Sequence, residues 1–117
     1  MLEEKAKELG RMIGQSPEYQ ALKRSSEGLN EDRDAVVLLK EMERLRGEAQ
    51  QLIQSGEEPT AEMEQQLDAL LEKIQARPVY QRAVAAQENF DKVMLRVNQW
   101  IMDGMKKGAA SPIITLS

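Results

Sequence analysis

From Pro78 to about Lys107 the chain runs some thirty residues with no proline after the first, and its apolar residues recur every three or four positions. That spacing is the signature of one continuous amphipathic helix. A helix of thirty residues spans ~45 Å, whereas a compact domain of this size has a radius of gyration of only ~13 Å. The fold is therefore expected to be elongated. The apolar positions of this segment also exceed one face: Ala83, Ala86, Phe90, Val93, Val97 and Trp100 form one stripe, with Tyr80, Val84, Met94, Ile101 and Met105 on or beside a second. One stripe can pack within the chain. The excess calls for a partner helix, most simply from a second copy, and Ala83, Ala86, Phe90, Val93, Val97, Trp100 and Ile101 are the candidate self-association residues.

The remaining residues read as shorter helices separated by turn and cap signals. Leu2, Ala6, Leu9 and Ile13 share one face of a helix over about 2–15. Ser16-Pro17 is an N-cap followed by proline at the first helical position, opening a second helix to about Leu29, with Gly28 weakening its end. Asn30 is the expected cap of a third helix over about 31–55, in which Ala35, Leu38, Met42, Leu45, Ala49 and Leu52 form a heptad-like stripe suited to side-by-side packing. Ser55-Gly56 ends it and Pro59-Thr60 opens a fourth helix, whose Met63, Leu67, Leu70 and Ile74 share a face up to the Arg77-Pro78 break. The predicted architecture is all-α: an elongated, oligomeric, antiparallel bundle of four to five helices. It forms one domain over 1–108, with an apolar tail over 109–117. Ile113 and Ile114 in that tail are adhesive enough to be candidates for docking on a partner.

Laid on itself at an offset of 61, the sequence aligns Pro17, Tyr19, Gln20 and Glu27 with Pro78, Tyr80, Gln81 and Glu88, and Leu9 and Ile13 with Leu70 and Ile74. A helix–proline–helix unit used twice would produce this pattern. Two unrelated amphipathic helices would share the periodicity, but nothing in periodicity requires Pro-x-Tyr-Gln in both. Tyr19 and Tyr80 thus fall just after the two joints, where each ring either packs the corner or offers a recognition point. Lys23, Arg24, Arg77 and Arg82 make small basic spots nearby. With the two tyrosines, Ile113 and Ile114 they complete the candidate partner surface.

What the composition lacks narrows the chemistry. There is no cysteine and no histidine, so the usual thiolate, the common zinc and haem ligands and the commonest acid–base side chain near pH 7 are missing. No catalytic residue, metal ligand or cofactor is predicted. Asn30, Asp32, Asp34 and Glu41 imitate the ligand spacing of a calcium loop, but Ala35 stands where the turn needs glycine and an acidic first helical turn explains the same residues. Glu62, Glu64, Asp68 and Glu72, the material for a carboxylate metal enzyme, sit off the apolar face and read as solvated. The methionines serve either as core filler or as an adaptable surface. A net charge of −4 disfavours a phosphate-binding surface as the main purpose, leaving an RNA-associated adaptor using Lys23, Arg24, Arg77 and Arg82 as the alternative to a protein-binding one. Met1-Leu2-Glu3-Glu4-Lys5 lacks an apolar signal core, and no run of ~18 apolar residues occurs, so a cytoplasmic, non-membrane protein is expected.

The order Ala6-x-x-Leu9-Gly10-x-x-Ile13-x-x-Ser16-Pro17-x-Tyr19-x-x-Leu22-Lys23, continued by the Asn30–Gln54 helix, the Gly56-Glu57-Glu58-Pro59-Thr60 hairpin and the helix holding Pro78, Tyr80 and Phe90, resembles the YlbF/YmcA family, particularly its YheA-like members. The likeness covers about 2–105. It implies an all-α fold associating through long helices, with no catalytic residues. It also implies a link to competence, sporulation and biofilm control, in some members through a complex that adjusts RNA processing by RNase Y. Members of that complex are associated with iron–sulfur clusters held by cysteine; this chain has none, so that property does not carry over.

Overall fold

The computed structural model describes residues 1–110. Five helices follow one another: α1 (Leu2–Gly14), α2 (Pro17–Glu31), α3 (Arg33–Gln54), α4 (Ala61–Gln75) and α5 (Pro78–Ala109), with no strand among the described residues. Tail residues Ile113 and Ile114 lie outside that range.

Side-chain caps set most of the boundaries. Ser16 accepts from the Tyr19 amide, Asp32 from Ala35 and Thr60 from Met63, at 3.2, 3.0 and 3.1 Å, each oxygen satisfying an N–H that the helix start leaves free. Two expectations are corrected. The third helix is capped by Asp32 rather than Asn30: α2 continues through Gly28 to Glu31, so its last turn takes up the residues assigned to the joint. At the other end Gly108 does not stop α5, which runs on to Ala109, because a lone glycine costs a helix only about 1 kcal/mol. Gly56 does stop its segment. With φ at +83° it reverses the chain between α3 and α4 in the left-handed region that other residues enter at a cost.

Two packing units result. In the first, α3 and α4 form an antiparallel hairpin around Ala35, Met42 and Ile74, with Leu29, Leu38, Leu39, Leu70, Leu71, Val79 and Tyr80 closing over them. Ile74 is completely enclosed. In the second, α2 lies antiparallel along α5: Tyr19 meets Phe90 near its start, while Ala21 and Ser25 face Ala85 and Ala86 further on. Small residues here let the helices approach closely. α1 leaves this pair at the Ser16-Pro17 joint, touches α2 sparsely and buries no residue.

The molecule measures 64 × 38 × 19 Å with a radius of gyration of 21.2 Å, against ~13 Å for a compact domain. The length of α5 makes the molecule elongated, as its sequence predicts. Truncating the enclosed side chain, Ile74→Ala, should cost about 2–5 kcal/mol in urea unfolding. Gly104→Ala, in the open mid-helix surface of α5, should instead add roughly 0.5–1 kcal/mol.

Candidate interaction surface

The Ser16-Pro17 and Arg77-Pro78 joints carry matching hydrogen bonds. The amide of Ser16 donates to the Ile13 carbonyl at 3.0 Å, as that of Arg77 donates to Ile74 at 3.1 Å. The Gln20 side chain reaches back to the Gly14 carbonyl at 2.8 Å, and Gln81 to that of Gln75 at 2.8 Å. In each case a side-chain amide closes over a carbonyl that the helix end leaves open, which holds the bend between the two helices. Proline at the first helical position fixes φ at no cost in hydrogen bonds.

The tyrosines after these joints differ in setting. Tyr80 packs against the Ala35, Met42 and Ile74 core. Tyr19 stands at the surface, with its ring edge against Phe90 at a centroid distance of 5.4 Å and an interplanar angle of 62°, an edge-to-face contact.

Arg77 has a structural partner. One guanidinium nitrogen donates to both carboxylate oxygens of Asp32 at 2.9 Å and lies 3.7 Å from Asp34. The pair links the start of α5 to the start of α3, 45 residues apart. The Ala35 amide and then Arg77 hold the Asp32 carboxyl below its ordinary range, and Asp32 in turn raises the Arg77 value. As a member of a free basic spot Arg77 is therefore compromised. Arg24 and Arg82 do come together, lining an open groove of about 460 Å³ with Ala21, Ser25, Ala85, Ala86 and Asn89, while Lys23 is exposed on α2. Glu41 pairs with Arg44, an ordinary exposed contact within α3.

The candidate self-association stripe divides. Ala86 and Val97 are buried within the chain, Ala83 and Val93 are half-buried, and Phe90 is half-buried beside Tyr19. Ala86 and Val97, expected at a contact with another copy, are instead covered by packing within the chain. Beyond Val97 the cover ends: Trp100 is 65% exposed, Ile101 45% and Met105 67%, joined by Met102. Met105, on the second apolar stripe, continues the Ile101 face at i+4. Leu2 and Met12 on α1 are exposed too. No group of histidine, cysteine or carboxylate side chains that could hold a metal is found among the described residues, and no described helix is long and apolar enough to cross a membrane.

The described residues thus form an elongated all-α fold whose long last helix keeps apolar side chains exposed. The family model described as "Control of competence regulator ComK, YlbF/YmcA" matches residues 2–106, and the chain belongs to this family. Similar curated relatives are UPF0342 proteins. The one from Streptococcus mutans is 36% identical over 71% of this chain and 74% of its own length. Those from Streptococcus gordonii and Desulfitobacterium hafniense are 28% and 30% identical, covering 84% and 81% of this chain and 88% and 72% of theirs.

The Asp32–Arg77 link has a signed pH consequence. A carboxyl whose folded pKa lies below its unfolded value of ~3.9 contributes stability that is present above that value and is lost as pH falls through the folded pKa. Asp32→Asn should lower the urea midpoint at pH 7 and flatten its decline below about pH 4, as measured by circular dichroism across a pH series.

Proposed function

We propose that this protein is a non-catalytic, cytoplasmic regulatory adaptor that self-associates and works by contact with other proteins. The observation that carries the proposal is the uncovered apolar end of α5, where Trp100, Ile101, Met102 and Met105 lie side by side in water. Apolar clusters of this kind mark protein contact sites on soluble chains. Membership of the YlbF/YmcA family, described by its control of a competence regulator, supports a regulatory role. Sporulation and biofilm control, and an RNA-processing complex built around RNase Y, are the finer settings that the family resemblance suggests. The partners are then a second copy of the chain and a protein of such a complex, with direct contact to nucleic acid a minor route at most.

Light scattering at micromolar concentration should give a dimer or higher oligomer. Trp100→Glu with Ile101→Glu should shift it to monomer with unchanged helical content, because both side chains are already at the surface. A stable wild-type monomer overturns self-association. Affinity capture from the native host, comparing the full chain with one ending at Lys107, should recover RNA-processing proteins in a form resistant to nuclease. Recovery that nuclease abolishes would favour the RNA-bound alternative.

A further inference from the structure

The stripe of α1 and the stripe of α4 correspond position by position at the 61-residue offset: Leu2 with Met63, Ala6 with Leu67, Leu9 with Leu70 and Ile13 with Ile74. Their fates differ. On α4 the first three are half-buried and Ile74 is fully enclosed, because α3 lies along them. On α1 Leu9 and Ile13 are half-buried near the joint, but no residue is fully enclosed, Ala6 is exposed and Leu2 is 85% exposed. The joints that set the direction of the two helices carry matching hydrogen bonds, so α1 leaves α2 much as α4 leaves α5. The α4 stripe thus has a covering helix along its whole length, and the α1 stripe is left open from Leu2 to Ala6.

We infer that the C-terminal half of α5 from a second copy takes on α1 the place that α3 takes on α4, and that the exchange is reciprocal between two copies. Three observations support this occupant. The lengths agree: the α1 stripe from Leu2 to Ile13 spans ~16 Å, and α5 from Met94 to Met105 spans ~16 Å. The chemistry agrees: Ile101 and Met105 share a face beside Trp100, and described residues leave all three exposed. The charges agree in one orientation. The α3–α4 precedent is antiparallel, with Leu52 near Met63 and Leu45 near Leu70. Copied onto α1, it sets the Glu3 and Glu4 turn beside the partner's closing turn, whose Lys106 and Lys107 are basic. A parallel arrangement would separate those charges. A contact in which the same two surfaces meet twice closes with two-fold symmetry and leaves no free copy of either.

This inference rests on the self-association proposed above, and a cysteine-free chain allows it to be tested separately. Leu2→Cys and Met105→Cys are made in two preparations, one isotope-labelled, then mixed, allowed to exchange and mildly oxidised. Both positions are at the surface, so the variants should fold as the parent does. Mass spectrometry should show the Leu2→Cys to Met105→Cys disulfide in several-fold excess over either self-pair, since a disulfide needs its Cα atoms within about 7 Å. A dimer by light scattering with the Met105→Cys self-pair dominant would mean that the α5 helices meet each other, which overturns this docking and leaves self-association intact. A monomer overturns both. If the chain's own tail covers α5, the mixture will stay uncoupled, and Met105→Cys will resist a thiol reagent at every protein concentration until the chain is cut after Ala110; that result also overturns the docking.

Discussion

The structure depends on a mismatch of length. α5 has 32 residues and extends for ~48 Å, while α2, which packs along it, has 15 residues and covers ~22 Å. No rearrangement of these two helices can close the difference. Packing therefore concentrates on the first part of α5, where Ala86 is buried and Phe90 meets Tyr19, and ends at Val97. Beyond it Trp100, Ile101, Met102 and Met105 are exposed, and the excess length of α5 sets the elongated shape.

A second constraint holds the two packing units together. Asp32 receives the Ala35 amide and the Arg77 guanidinium at once, so a single carboxylate caps α3 and ties it to the start of α5. Arg77 is half-buried, where such a pair is screened less than one in open water. The same residue that looked like part of a basic patch thus serves as a joint. Close to it, Tyr80 packs on the Ile74 core, which makes the second proline corner rigid. The first corner has its own local hydrogen bonds and the Tyr19–Phe90 contact, with Tyr19 partly at the surface and no residue of α1 buried.

Much of the helical plan was legible because local physics writes it. Ser16, Thr60 and Gly56 do their work through bonds or dihedrals within a few residues, and apolar spacing reports which face of each helix turns inward. The errors have a common origin. Asn30 and Asp32 are both good caps, and the choice fell to Asp32, which also meets Arg77 from 45 residues away. Gly108 has weak intrinsic cost, and the helix runs past it. Among the candidate self-association residues Trp100 and Ile101 are exposed, whereas Ala86 and Val97 on the same helix were not recognisable as already covered.

The sequence by itself determined the all-α class, the two proline joints, the excess length of α5 and the lack of cysteine and histidine chemistry, since each follows from residue type and spacing along a few turns. Only the tertiary structure decided where along α5 the cover stops, that Arg77 belongs to Asp32, and that the stripe of α4 is covered along its length while the matching stripe of α1 is open at Leu2 and Ala6. Those outcomes depend on which distant helix arrives at a given face. Amphipathic periodicity specifies that a face will be buried but carries no record of the partner that buries it.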